Sequence, residues 1–111
     1  MDVRQEKIGE VSVVGVTGRI DSSTAPLLEK HLTENLGAEK VRVVLDLSRL
    51  EYISSAGFRI LLLAAKRADD TGSRFILCGL GGKVRQLFDL GGFLDLFTIV
   101  GAREDGIAAV Q

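Results

Sequence analysis

The sequence predicts an α/β fold built on a mixed sheet, with its elements in the order β-β-α-β-α-β-α-β-α. Three observations predict it. Two β-rich runs stand at the start of the chain, separated only by Gly9-Glu10. Beyond them, short runs of Val, Ile and Leu alternate with longer segments whose apolar residues recur at helical spacing. Glycines then close three of those helical segments, at Gly37, Gly72 and Gly91-Gly92. The 111 residues fit one domain and would be cramped as two. With no repeat, low-complexity tract or linker, residues 1–111 read as a single domain.

Taken in order, Val3 to Ile8 and Val11 to Thr17 read as an antiparallel hairpin around the Gly-containing turn. Gly18 breaks the run before Arg19-Ile20-Asp21. Ser22, Ser23 and Thr24 are candidate N-caps, and Pro26 suits a first helical turn, where a missing N–H is harmless. That helix continues through Leu27, Leu28, Leu32 and Leu36. Val41 to Leu47 is nearly continuous in β-formers, the pattern of a central strand. A loop, Ser48 to Ile53, leads into a serine-started helix from Ser54 to Asp70. Arg74 to Cys78 is the next strand, Lys83 to Leu90 a short helix, Phe97 to Val100 a last strand, and Glu104 to Val110 a terminal helix. Helices between successive strands require crossovers, which make those strands parallel.

Composition excludes several functions. Fourteen basic against fifteen acidic residues give a net charge of −1, without the basic excess of a general nucleic-acid binder. No stretch approaches the roughly 20 apolar residues that span a bilayer. The polar start, Met1 to Lys7, has no apolar core of a secretion signal. A lone cysteine, Cys78, forms no internal disulfide and fits a reducing compartment. The expectation is a cytoplasmic protein. One histidine, His31, offers no His-rich metal site and no Cys-His pair. No cofactor, metal or catalytic residue is expected, and Gly79-Leu-Gly-Gly-Lys83 lacks the spacing of a phosphate loop.

The informative segment is Asp46-Leu-Ser-Arg-Leu-Glu-Tyr-Ile-Ser-Ser-Ala-Gly-Phe58. It sets two serines at a helix start just past a central strand, the edge where open α/β sheets carry their sites. Ser54 reads first as a cap. Ser55, one residue on, reads as exposed in the first turn, where a phosphoryl group would add about −1.5 to −2 charges at the positive end of the helix dipole. Along this helix Arg59, Lys66 and Asp70 gather on a wet face, and Phe58, Leu61, Ala65 and Ala68 on a core face. Leu63 falls on the wet side, a plausible contact for a partner protein. Asp46 reads as a structural acceptor for loop N–H groups. Asp21 heads another helix that can come near Ser55.

Together Gly18-Arg-Ile-Asp-Ser-Ser-Thr-Ala25, Val44-Leu-Asp-Leu-Ser48 with Tyr52-Ile-Ser-Ser-Ala-Gly-Phe58, and Val84-Arg-Gln-Leu-Phe-Asp-Leu-Gly-Gly92 resemble the STAS domain (sulphate transporter and anti-sigma factor antagonist). The resemblance is to the free-standing bacterial anti-sigma factor antagonists and covers almost the whole chain. It implies a mixed sheet with helices packed mainly on one side, and a partner-switching role in transcription and stress response. In that role the unphosphorylated antagonist binds an anti-sigma factor that is also a serine kinase and so releases a sigma factor. Phosphorylation by that kinase ends the binding, and a serine phosphatase resets it.

By position, the family's phosphoserine falls on Ser55, with Ser54 as the competing acceptor. The family's acidic residue before that serine is here Ser54, and its following serine is Ala56. The partner-contact residues implied are Asp21, Thr24, Ser54, Gly57, Phe58, Arg59 and Leu63. An alternative within the same resemblance is a STAS subunit of a bacterial ABC-type lipid transport assembly, binding an ATPase without a phosphorylation cycle. A fused transporter tail is disfavoured by a chain that begins and ends without membrane spans. A small α/β enzyme would need an acid–base pair from Asp21 and Asp46, both of which have structural readings.

Overall fold

A computed structural model describes all of residues 1–111. The strands are β1 (Asp2–Ile8), β2 (Val11–Ile20), β3 (Arg42–Ile53), β4 (Arg74–Cys78) and β5 (Thr98–Val100). The helices are α1 (Ala25–Asn35), α2 (Ser55–Thr71), α3 (Gly82–Leu90) and α4 (Arg103–Val110), with one 3-10 turn at Leu94–Leu96. One five-stranded sheet runs β1-β2-β3-β4-β5. The β1–β2 hairpin is antiparallel, turning at Gly9 with φ +58, and every later pair is parallel.

Because the parallel strands follow one another across the sheet without reversal, crossovers of one hand put α1, α2 and α3 on the same face. The main core lies there. Val14, Val16, Val43, Leu45 and Leu47 of the sheet pack under Leu28 and Leu32 of α1, Leu61 and Ala64 of α2, and Val84 and Phe88 of α3. The opposite face is covered by α4 alone. Beneath it a smaller cluster holds Val11, Val13, Val44, Ile76, Cys78 and Val110. Adjacent β3 residues serve opposite faces: Val43 and Leu45 point to the main core, Val44 to the small one.

Two segments differ from the sequence expectation. Gly18 does not end the second strand. With φ +99 it accommodates a register shift, and β2 continues to Ile20. The expected loop from Ser48 to Ile53 is strand as well. It pairs with Thr17–Ile20 of β2, with Leu50 and Ile53 turned into the core. β4 ends opposite Asp46, so this part of β3 is held from one side only. The result is a two-stranded ladder that runs past the rest of the sheet and carries the starts of α1 and α2 at its tip.

Candidate functional site

The tip of that ladder brings two loops together. Ile20 pairs with Ile53, so Asp21 and Ser54 follow side by side at the C-terminal ends of adjacent parallel strands. The Ser54 N–H donates to the Ile20 carbonyl at 2.8 Å, tying one loop to the other. Ser54 is the N-cap of α2: extended backbone, with Oγ accepting from the Gly57 N–H at 3.4 Å. Its side chain is therefore engaged and half-buried. Ser55, the first residue of α2, is exposed, and its hydroxyl makes no hydrogen bond to the protein.

The neighbouring loop is organised by Asp21. Its Oδ1 accepts from the Ser23 N–H at 3.0 Å, the Ser23 hydroxyl at 2.7 Å and the Thr24 N–H at 3.1 Å. The Ser23 hydroxyl first, and then the Thr24 N–H, hold the Asp21 carboxyl below its ordinary value. Thr24 occupies the N-cap position of α1, but its side chain makes no capping bond to the helix. Its Oγ1 accepts from the Asp21 N–H and donates to the Arg19 carbonyl, bracing the loop against β2. The loop is thus preformed and bears a negative charge at neutral pH.

Of the residues expected at a contact surface, Ser55, Arg59 and Leu63 share one exposed stripe of α2. Leu63 is 44% exposed and borders a groove of about 240 Å³ between α1 and α2, lined also by Leu32, Thr33, Leu36 and Ile60. Gly57 and Phe58 lie elsewhere. A Cβ on Gly57 would stand 2.6 Å from Ile53 Cγ1 and 2.7 Å from Ile20 Cγ2, so this glycine lets α2 seat directly on the ladder. Phe58 is 6% exposed, stacked on Phe93 at 4.1 Å and edge-on to Phe88 at 4.8 Å. Both are interior residues, and the surface is corrected to exclude them. Asp46 has the structural role read for it, accepting from the Ser48 N–H at 3.0 Å.

Sequence reasoning missed Arg19 and Tyr52. The Arg19 guanidinium lies 4.4 Å from the centre of the Tyr52 ring, beside the two loops. Their pairing in the ladder is the only signal for it, and that pairing depends on Ser48 to Ile53 being strand. No group of three or more His, Cys, Asp or Glu gathers to hold a metal ion. No helix is long and apolar enough to cross a membrane.

Residues 2–106 match the STAS domain family. The chain belongs to that family. Along all of its length this STAS domain is 38% identical to a Bordetella bronchiseptica protein named as the anti-sigma factor antagonist BtrV, covering 96% of it. The crystal structure of an anti-sigma factor antagonist from Mycobacterium paratuberculosis superposes with a TM-score of 0.84 at 30% identity, covering 98% of this chain and 92% of that one. The Bacillus cell fate determinant SpoIIAA, solved in its phosphorylated form, shares the fold, with a TM-score of 0.74 at 18% identity over 99% and 100% of the two chains. The STAS domain described here thus groups with regulators rather than enzymes.

Proposed function

We propose that this STAS domain is an anti-sigma factor antagonist that binds an anti-sigma factor with serine kinase activity and thereby releases a sigma factor. The docking surface is the ladder tip: the Asp21–Thr24 loop, Ser55, and the Arg59 and Leu63 stripe of α2. Phosphorylation of Ser55 by the bound kinase switches the antagonist off, and a serine phosphatase restores it in the cytoplasm. The observation that carries this reading is the contrast between the two serines. Ser54 is engaged in the helix cap, whereas the Ser55 hydroxyl is exposed and unengaged.

A phosphoryl group on Ser55 meets the positive end of a 17-residue helix, so the fold tolerates it. Its effect falls on the partner, through charge repulsion and the desolvation of a dianion at the interface. The names of the relatives and the phosphorylated form of SpoIIAA support the same reading. Calorimetric titration against the cognate anti-sigma kinase tests it. Ser55→Ala is expected to bind like the unmodified chain and to resist inactivation by ATP. Ser55→Asp is expected to bind at least about tenfold more weakly, a loss of about 1.4 kcal/mol, while melting normally. Equal binding by both variants would refute the switch.

A further inference from the structure

Ser55 is followed four residues later by Arg59, on the same exposed stripe of α2. At that spacing the two Cβ atoms stand about 5–6 Å apart. Arg59 is exposed and takes part in neither of the protein's ion pairs. Three neighbouring cations are already engaged. Arg19 lies on the Tyr52 ring, Lys66 pairs with Asp70 at 3.2 Å, and Arg67 donates from Nε to the Leu36 carbonyl at 2.9 Å. One free guanidinium therefore stands a single helical turn from Ser55, whose hydroxyl is exposed and unengaged.

We propose that Arg59 is the internal counter-ion of a phosphoryl group on Ser55, so that phosphorylation also withdraws a positive charge from the docking surface. The inference rests on Ser55 being the modified residue. Its physical basis is the geometry of the pair. An acidic group N-terminal to a basic one at i, i+4 is the favourable order on a helix. The planar guanidinium can give two parallel N–H bonds to two phosphate oxygens, which a lysine ammonium cannot. Asp21, ionised on the adjoining loop, disfavours a phosphate that leans the other way. A partner whose acidic group faces Arg59 in the unmodified state loses that contact and meets new negative charge in a single step.

A double-mutant cycle on the full chain tests this, with phosphoserine installed at position 55 by genetic encoding and with Arg59 or Arg59→Gln. Phosphoserine is expected to raise the melting temperature by about 1–4 °C more when Arg59 is present than in R59Q. Arg59→Lys is expected to recover only part of that increment. The Arg59 Nε resonance is expected to shift on phosphorylation while the amide spectrum of the core stays in place. Equal increments with and without Arg59, together with an unmoved Nε resonance, would overturn the proposal. Since the phosphate is installed without a kinase, the cycle reads the pair directly. Absence of Ser55 phosphate from the protein made in its own cells would instead refute the switch.

Discussion

At the scale of single residues, the site turns on two adjacent serines with different tasks. Ser54 satisfies one of the orphan N–H groups at the start of α2 through its 3.4 Å bond from Gly57. That bond is long, so Ser54→Ala is expected to destabilise by about 0.5–1 kcal/mol, the lower part of the range for a lost cap. Ser55 makes no such bond, and Ser55→Ala is expected to stay within about 0.5 kcal/mol of the parent. Urea unfolding of the two variants checks the pair, and a larger loss for Ser55→Ala would mean that its hydroxyl is structural. Much of this was legible in the sequence, because serine just before an apolar helical run is itself a cap signal. The inward placement of Gly57 and Phe58 was legible only in part. Helical periodicity sets Phe58 on the core face with Leu61 and Ala68, whereas resemblance alone sets it on the surface. Its stacking with Phe93 decides for the core. Phe93 lies 35 residues away in a segment with no clear period, so its arrival could not be read in advance.

Among the elements, β3 is two strands in one. From Arg42 to Asp46 it is hydrogen-bonded on both sides, to β2 and to β4. From Arg49 to Ile53 it has β2 alone. Amide hydrogen exchange is expected to divide the strand accordingly, with Val43–Leu45 protected to the level of global unfolding and Arg49–Tyr52 opening locally at lower free energy. Uniform protection along β3 would argue against the single-sided ladder. This half of the strand was hidden from sequence reasoning because Ser48, Arg49 and Glu51 are polar and exposed, as in a loop. Its strand character comes from a parallel partner some thirty residues earlier, and register shifts at Gly15/Thr17 and Gly18/Arg19 blur the alternation that would mark it.

For the whole molecule, the sheet divides the interior into two unequal parts, and α4 is the sole cover of the smaller one. Cys78 lies within it, fully buried, its thiol pushed up to about 12 by burial and, after that, by the Asp46 carboxylate. A thiol so placed is neutral and inaccessible at neutral pH, so labelling by a disulfide reagent is expected to proceed only through opening of the fold. The rate should rise with urea in step with global unfolding. Labelling of the native protein at the speed of an exposed thiol would show that α4 lifts independently. The order of elements and the antiparallel start of the sheet were legible from glycine positions and apolar runs. The position of α4 opposite the other helices was not, since its apolar residues, Ile107 to Val110, follow one another without helical spacing and give no strong pattern. The seat of α2 on Ile20 and Ile53 has a consequence for signalling. With no room at Gly57 for even a methyl group, the helix start cannot tilt or slide without disturbing the core. Under the proposed switch, a phosphoryl group added there would carry its message by charge rather than by shape. The two states of such a protein would share one outline, and the record of past kinase activity would reside in a single ester bond, erased only by hydrolysis.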